Sequence, residues 1–161
     1  MKKKPEDLRQ MKSKTRKIIG RREWVSFPEL DLFNIEAKID TGAYTSSLHC
    51  KELKQFTKNG LEYVSFLLID FENSNFDSKI IDWPVYKIKS VKNSFGQAED
   101  RIVIKTKLDF FDKVYEVELS LADRSAMDYP VLLGRKLLKK RFLVDSSKVH
   151  YADQKKIIEY N

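Results

Sequence analysis

Asp40, Thr41 and Gly42, followed by Ala43, are the residues of this chain whose types and order suit hydrolytic chemistry. A carboxylate can take a proton from water, the hydroxyl beside it can brace a loop, and the glycine lets a second backbone come close. Cleaving an amide without a metal or a covalent intermediate needs a base to activate water. It also needs an acid to protonate the carbonyl oxygen or the leaving nitrogen. Two carboxylates sharing one proton fill both roles, because their repulsion keeps one protonated while the other is ionised. The chain holds one Asp-Thr-Gly, and the later Asp145-Ser146-Ser147 lacks the glycine. A complete pair therefore requires a second copy, placed about a two-fold axis so that Asp40 meets Asp40. The triplet also suits an ordinary β-turn, so its surroundings must discriminate.

Those surroundings read as strands. Phe33, Ile35, Ala37 and Ile39 alternate with Asn34, Glu36 and Lys38, which predicts a strand that delivers Asp40 at its end. Trp24, Val25 and Phe27 predict an earlier strand stopped by Pro28, and 44–50 predicts a returning one. Asn59-Gly60 is a hairpin signal ahead of a strand over 63–71, and 72–78 has loop composition. Strands are expected over 79–90, interrupted by Pro84, and over 101–108. The intervening 91–100, with Phe95 and Gly96, reads as a hairpin able to move over a site. A turn over 110–113 precedes the alternating Tyr115, Val117 and Leu119. The apolar run 130–133 stops at Gly134, one short helix is expected over 135–140, and 142–144 and 149–151 close the chain as strands. The expectation is an all-β barrel or sandwich with a single short helix.

Composition bounds the possibilities. A chain of 161 residues fits one domain, expected over 18–161, with a basic and disordered tail over 1–17. The net charge of +7 favours an acidic partner, which charge alone does not identify. Nucleic acid is the less favoured choice, and it would predict affinity that falls steeply with salt and is lost on deleting residues 1–17. Cys50 is the single cysteine, and no run approaches membrane-spanning length, so a cytoplasmic protein is expected. His49, Cys50 and His150 lack metal-ligand spacing, and no phosphate-binding Gly-x-x-x-x-Gly-Lys occurs; neither a metal nor another cofactor is expected.

Asp40-Thr41-Gly42-Ala43 together with Val131-Leu132-Leu133-Gly134-Arg135 resembles the retropepsin-like aspartic proteases, in which a late apolar-apolar-Gly-Arg packs beneath the catalytic loop. A broader resemblance runs over 18–151. Ile19-Gly20-Arg21-Arg22-Glu23-Trp24-Val25, Ser46-Ser47-Leu48-His49 and Tyr129-Pro130-Val131 are similar to a bacterial and archaeal family labelled ATP-dependent zinc proteases, some of which accompany RimK-type ATP-grasp glutamate ligases. The resemblance implies a closed acid-protease β-barrel and a homodimer with Asp40, Thr41 and Gly42 catalytic. It also implies a substrate cleft near Ala43, Tyr44, Phe95 and Gly96, with Gly134 and Arg135 supporting the loop. The implied substrate is a peptide or protein, and the ligase association suggests a glutamate-rich one. A non-catalytic module that binds such a ligase or a ribosomal component is the alternative on the same fold. Tyr44 stands where many retropepsins carry an acidic residue that pairs with the late arginine, so Arg135 is expected to find another partner.

Overall fold

The computed structural model describes residues 16–68, 78–92, 95–123 and 129–152. The expected tail over 1–17 lies outside the described residues except for Arg16 and Lys17, as does the loop over 72–78 except for Ser78. The elements in chain order are β1 (Lys17–Ile19), β2 (Arg22–Phe27), β3 (Leu32–Ile39), β4 (Ser46–Lys58), β5 (Leu61–Leu68), β6 (Lys79–Pro84), β7 (Lys87–Lys92), β8 (Ala98–Phe110), β9 (Lys113–Ala122), β10 (Val131–Leu133), α1 (Arg135–Leu138) and β11 (Phe142–Val144).

Pairing runs β10-β3-β2-β8-β9-β4 and returns to β10, which lies parallel to β3 and antiparallel to β4. The described residues thus form a mostly β structure whose ladder closes into a ring, so β10 has a partner on each side. From β4 the sheet extends to β5 and β6, and β7 adds to β8. Two hairpins turn through residues with positive φ at both central positions: Asn59 and Gly60 (51° and 77°), and Phe111 and Asp112 (54° and 58°). That backbone twist matches the right-handed twist of the flanking strands. Phe27, Phe66, Phe110, Ile104, Leu119 and Leu133 are fully buried in one contiguous core. Burying a side chain of this size contributes about 1.5–3 kcal/mol.

Three expectations need correction. In β3 the alternation is broken, with Leu32 buried and Phe33 52% exposed. Asn34 takes a left-handed φ of 53° and donates its N–H to Ser26 Oγ at 3.0 Å, beside a register irregularity between Val25 and Phe27. This bulge flips the first residues of the strand but leaves Ile35, Ala37 and Ile39 buried ahead of Asp40. The helix is shorter than 135–140, ending at Leu138. No strand forms over 149–151, where His150 has φ 51°.

The reason for the last difference is Glu23, a fully buried carboxylate on β2. Its Oε1 accepts the N–H groups of Gly20 (2.8 Å) and Tyr151 (3.0 Å), and its Oε2 accepts that of Ala152 (3.2 Å). A side chain thus takes donors that a strand ladder would have used. On the neighbouring face Trp24 stacks on His150 at 4.7 Å, while His150 Nε2 lies 2.5 Å from Glu36 Oε2. A further pairing not expected from sequence joins β1 to β11 in parallel, Lys17 to Phe142 through Ile19 to Val144.

Candidate active site

Strand β3 runs into Asp40 as anticipated, and β10 fixes where it stops. The Asp40 N–H donates to the Leu133 carbonyl at 2.9 Å, continuing the β3–β10 ladder by one residue. Ala43 N–H then reaches back to Asp40 O at 3.3 Å, and Gly42 N–H donates to Asp40 Oδ1 at 3.0 Å. The loop is therefore a true β-turn. Asp40 is half-buried, whereas Thr41 and Gly42 are exposed. Among the described residues, its carboxylate accepts a hydrogen bond from Gly42 and forms no ion pair.

The late segment seats this loop through its backbone. Arg135 N–H donates to Ala43 O at 2.8 Å and Lys136 N–H to Tyr44 O at 2.9 Å. These are first-turn donors of α1, which have no partner within the helix, so the loop carbonyls act as its N-terminal cap. Gly134 N–H donates to the buried Ser46 Oγ at 3.0 Å. A Cβ at Gly134 would lie 2.8 Å from Tyr44 O and 3.0 Å from Ala43 O, so only glycine lets α1 approach the loop this closely. Gly134→Ala is expected to destabilise the fold by about 1–3 kcal/mol. It is also expected to speed amide exchange at residues 43–46; urea denaturation and hydrogen exchange report the two effects.

Arg135 finds its partners within its own chain. Its Nη1 donates to Thr41 O at 3.0 Å, and its guanidinium lies 5.8 Å from the centre of the Tyr44 ring. Tyr44, 52% exposed, thus occupies the space beside the late arginine with an aromatic face instead of a carboxylate. Behind it, Lys136 pairs with Glu118, whose second cation, Lys87, stands at 3.5 Å. Burial pushes the Glu118 pKa up, but hydrogen bonding and attraction from Lys136, with help from Lys87, outweigh burial and hold it below the usual value.

Of the hairpin expected over 91–100, β7 up to Lys92 pairs with β8 from Ala98, while residues 93 and 94 lie outside the described residues. A cleft of about 380 Å³ separates this hairpin from the loop, lined by Ala43, Tyr44, Thr45, Lys89, Lys92 and Arg101 among others. Lys89 Nζ ties the two walls by donating to Thr45 Oγ1 at 3.0 Å. Phe95, 89% exposed, and Gly96, with φ +77°, sit in the turn of the hairpin and do not line the cleft.

Sequence reasoning gave no role at the site to Ser46, Lys89 or Arg101. The period-two spacing of Lys89 and Val91 on a strand at the site was the available signal for Lys89. Arg101 needed the register, which sets it directly opposite Lys89. Like charges facing each other across a ladder are unfavourable, and Arg101 Nε is buried with no hydrogen-bond partner among the described residues. Glu99, at 3.6 Å, offsets part of this charge.

Cys50 is fully buried, and burial pushes its thiol pKa up to about 12, so it stays protonated and unreactive. Among the described residues, no three His, Cys, Asp or Glu side chains gather to hold a metal ion, and no helix is long and apolar enough to cross a membrane.

The chain is 40% identical over 130 residues to a probable alpha-L-glutamate ligase of Desulfotalea psychrophila, covering 81% of this chain and 28% of that protein. A probable alpha-L-glutamate ligase of Shewanella halifaxensis is 37% identical over 147 residues, covering 88% and 31%. The chain thus spans less than a third of the length of these relatives. The crystal structure of a Legionella pneumophila protein of unknown function has the same fold, with a TM-score of 0.69 and 24% identity over 86% of this chain and 99% of that one. Residues 18–155 match the RimB-like family model, described as retropepsin-like aspartic endopeptidase RimB, and the chain belongs to that family.

Proposed function

We propose that the protein is an aspartic-type peptidase or amide hydrolase, active as a homodimer, that cleaves acidic and glutamate-rich peptide. The observation that carries this reading is the seating of the Asp40 loop by the backbone of Leu133, Arg135 and Lys136. Such bracing holds a half-exposed carboxylate in place while leaving Thr41 and Gly42 open to a second copy.

In the proposed reaction the two Asp40 side chains share one proton. The ionised one takes a proton from water, whose oxygen attacks the peptide carbonyl. The protonated one gives its proton to the carbonyl oxygen. Collapse of the resulting diol breaks the C–N bond: the proton taken from water passes to the leaving nitrogen, and a diol hydroxyl returns its proton to the other carboxylate, which restores the shared proton. Arg135, bonded to Thr41 O and lying by Tyr44, keeps the loop from relaxing when the partner's charge approaches. Lys89, Lys92 and Arg101 make the cleft cationic, and a glutamate side chain there would relieve the repulsion between Lys89 and Arg101.

The test is incubation of the full chain with a peptide ending in several glutamates, followed by mass spectrometry. New amino termini within the glutamate run support the reading, and an intact peptide under conditions where the protein is dimeric contradicts it. A second reading, a non-catalytic module working with a glutamate ligase, is favoured by the relatives themselves: the matched stretch is 28–31% of proteins named probable alpha-L-glutamate ligase. It predicts that the chain alters the product of such a ligase with Asp40 replaced by Asn.

A further inference from the structure

Beyond the cleft, the chain carries another concavity, about 830 Å³ in volume, by the C-terminal end of α1. Among the described residues its walls are Lys17, Lys113, Lys136, Lys139, Lys140 and Arg141 around Tyr115, with no carboxylate. Lys136 is already paired with Glu118. Lys17 donates to Phe111 O at 3.3 Å and Arg141 to Leu137 O at 2.9 Å, contacts that fix the cations without neutralising them. Lys113, Lys139, Lys140 and Arg141 are exposed, so water and salt screen their mutual repulsion, and an anion held in the hollow would relieve what is left.

We propose that this groove is a docking site for an acidic peptide, separate from the residues that would perform hydrolysis. The chemistry of the walls selects the occupant. Tyr115 is 8% exposed, and Lys113 and Arg141 lie 5.5 and 5.6 Å from its ring centre, so it offers no free face on which a nucleic-acid base can stack. Lysine supplies four of the five cations that pair with no carboxylate among the described residues, and separate, flexible ammonium groups suit the spaced side chains of an acidic peptide. The groove also adjoins the loop: Lys136, in its wall, donates its backbone N–H to Tyr44 O. A long acidic chain held here is therefore kept near the cleft, which raises its effective concentration there. That consequence rests on the proposed peptidase reading, whereas the docking itself does not.

The experiment uses the full chain carrying Asp40→Asn, so that no turnover interferes, and fluorescence anisotropy of a labelled deca-glutamate. Lys113→Glu, Lys139→Glu and Lys140→Glu combined are expected to weaken binding roughly tenfold or more. Added salt is expected to weaken the parent in the same direction. The corresponding Lys→Gln triple, gentler on folding, is expected to give a smaller loss of the same sign. With Asp40 restored, the Gln triple is expected to raise KM for long acidic peptides while leaving kcat unchanged. Equal peptide affinity in parent and Gln triple overturns the proposal. So does a ten-nucleotide RNA that binds the parent more tightly than the peptide and is lost in the same variant. Loss of binding in the triple with no hydrolysis by the parent enzyme would sustain the docking site and remove the peptidase reading.

Discussion

Asp40→Asn is expected to lower hydrolysis of a glutamate-rich peptide by roughly a thousandfold or more while leaving stability within about 0.5 kcal/mol of the parent. An amide can neither take a proton from water nor share one with an opposing carboxylate. Its oxygen can still accept the Gly42 N–H that Asp40 Oδ1 accepts at 3.0 Å, so the turn persists. Asp40 is half-buried and forms no ion pair among the described residues, so removing its charge leaves no cation orphaned. Turnover and urea unfolding on one preparation separate chemistry from folding. Unchanged turnover would remove Asp40 from the mechanism.

Glu23→Ala is expected to have the largest effect on stability, a loss of about 3–5 kcal/mol. The substitution strands the N–H groups of Gly20, Tyr151 and Ala152, which meet the carboxylate at 2.8–3.2 Å in a site with no exposure. Releasing the segment around Ala152 also uncovers the Trp24–His150 stack and the Glu36 carboxylate beneath it. Glu23→Gln keeps one acceptor but points an amide NH2 at a backbone N–H, so a smaller loss is expected. Denaturant midpoints give the magnitude, and faster amide exchange at Tyr151 and Ala152 gives the location. A loss below about 1 kcal/mol would show that other contacts hold the segment.

Local pattern made the approach to the site legible. Ile35, Ala37 and Ile39 announced the strand that ends at Asp40, and Val131-Leu132-Leu133-Gly134-Arg135 announced the segment that cradles it. Asn59-Gly60 named its own turn because few residues accept positive φ in sequence. What escaped was set by contacts distant in the chain. Phe33 looked like core because nothing local marks a bulge whose partner is Ser26. The segment over 149–151 alternates like a strand, yet a carboxylate more than a hundred residues earlier claims the N–H groups of Tyr151 and of Ala152 after it. Lys89 and Arg101 became a pair only once β7–β8 register was known. Tyr44 was noted as a departure, but its place beneath Arg135 depended on where α1 lands.

The central claim is that hydrolysis needs Asp40 from two chains. It is tested most directly by mixing the parent with the Asp40→Asn variant under subunit exchange, at fixed total protein, and measuring hydrolysis across the series. Paired carboxylates predict activity that falls as the square of the parent fraction, because a mixed dimer has one carboxylate and no proton-sharing partner. Activity falling in direct proportion to the parent fraction would mean that each chain works alone, and would contradict the paired site.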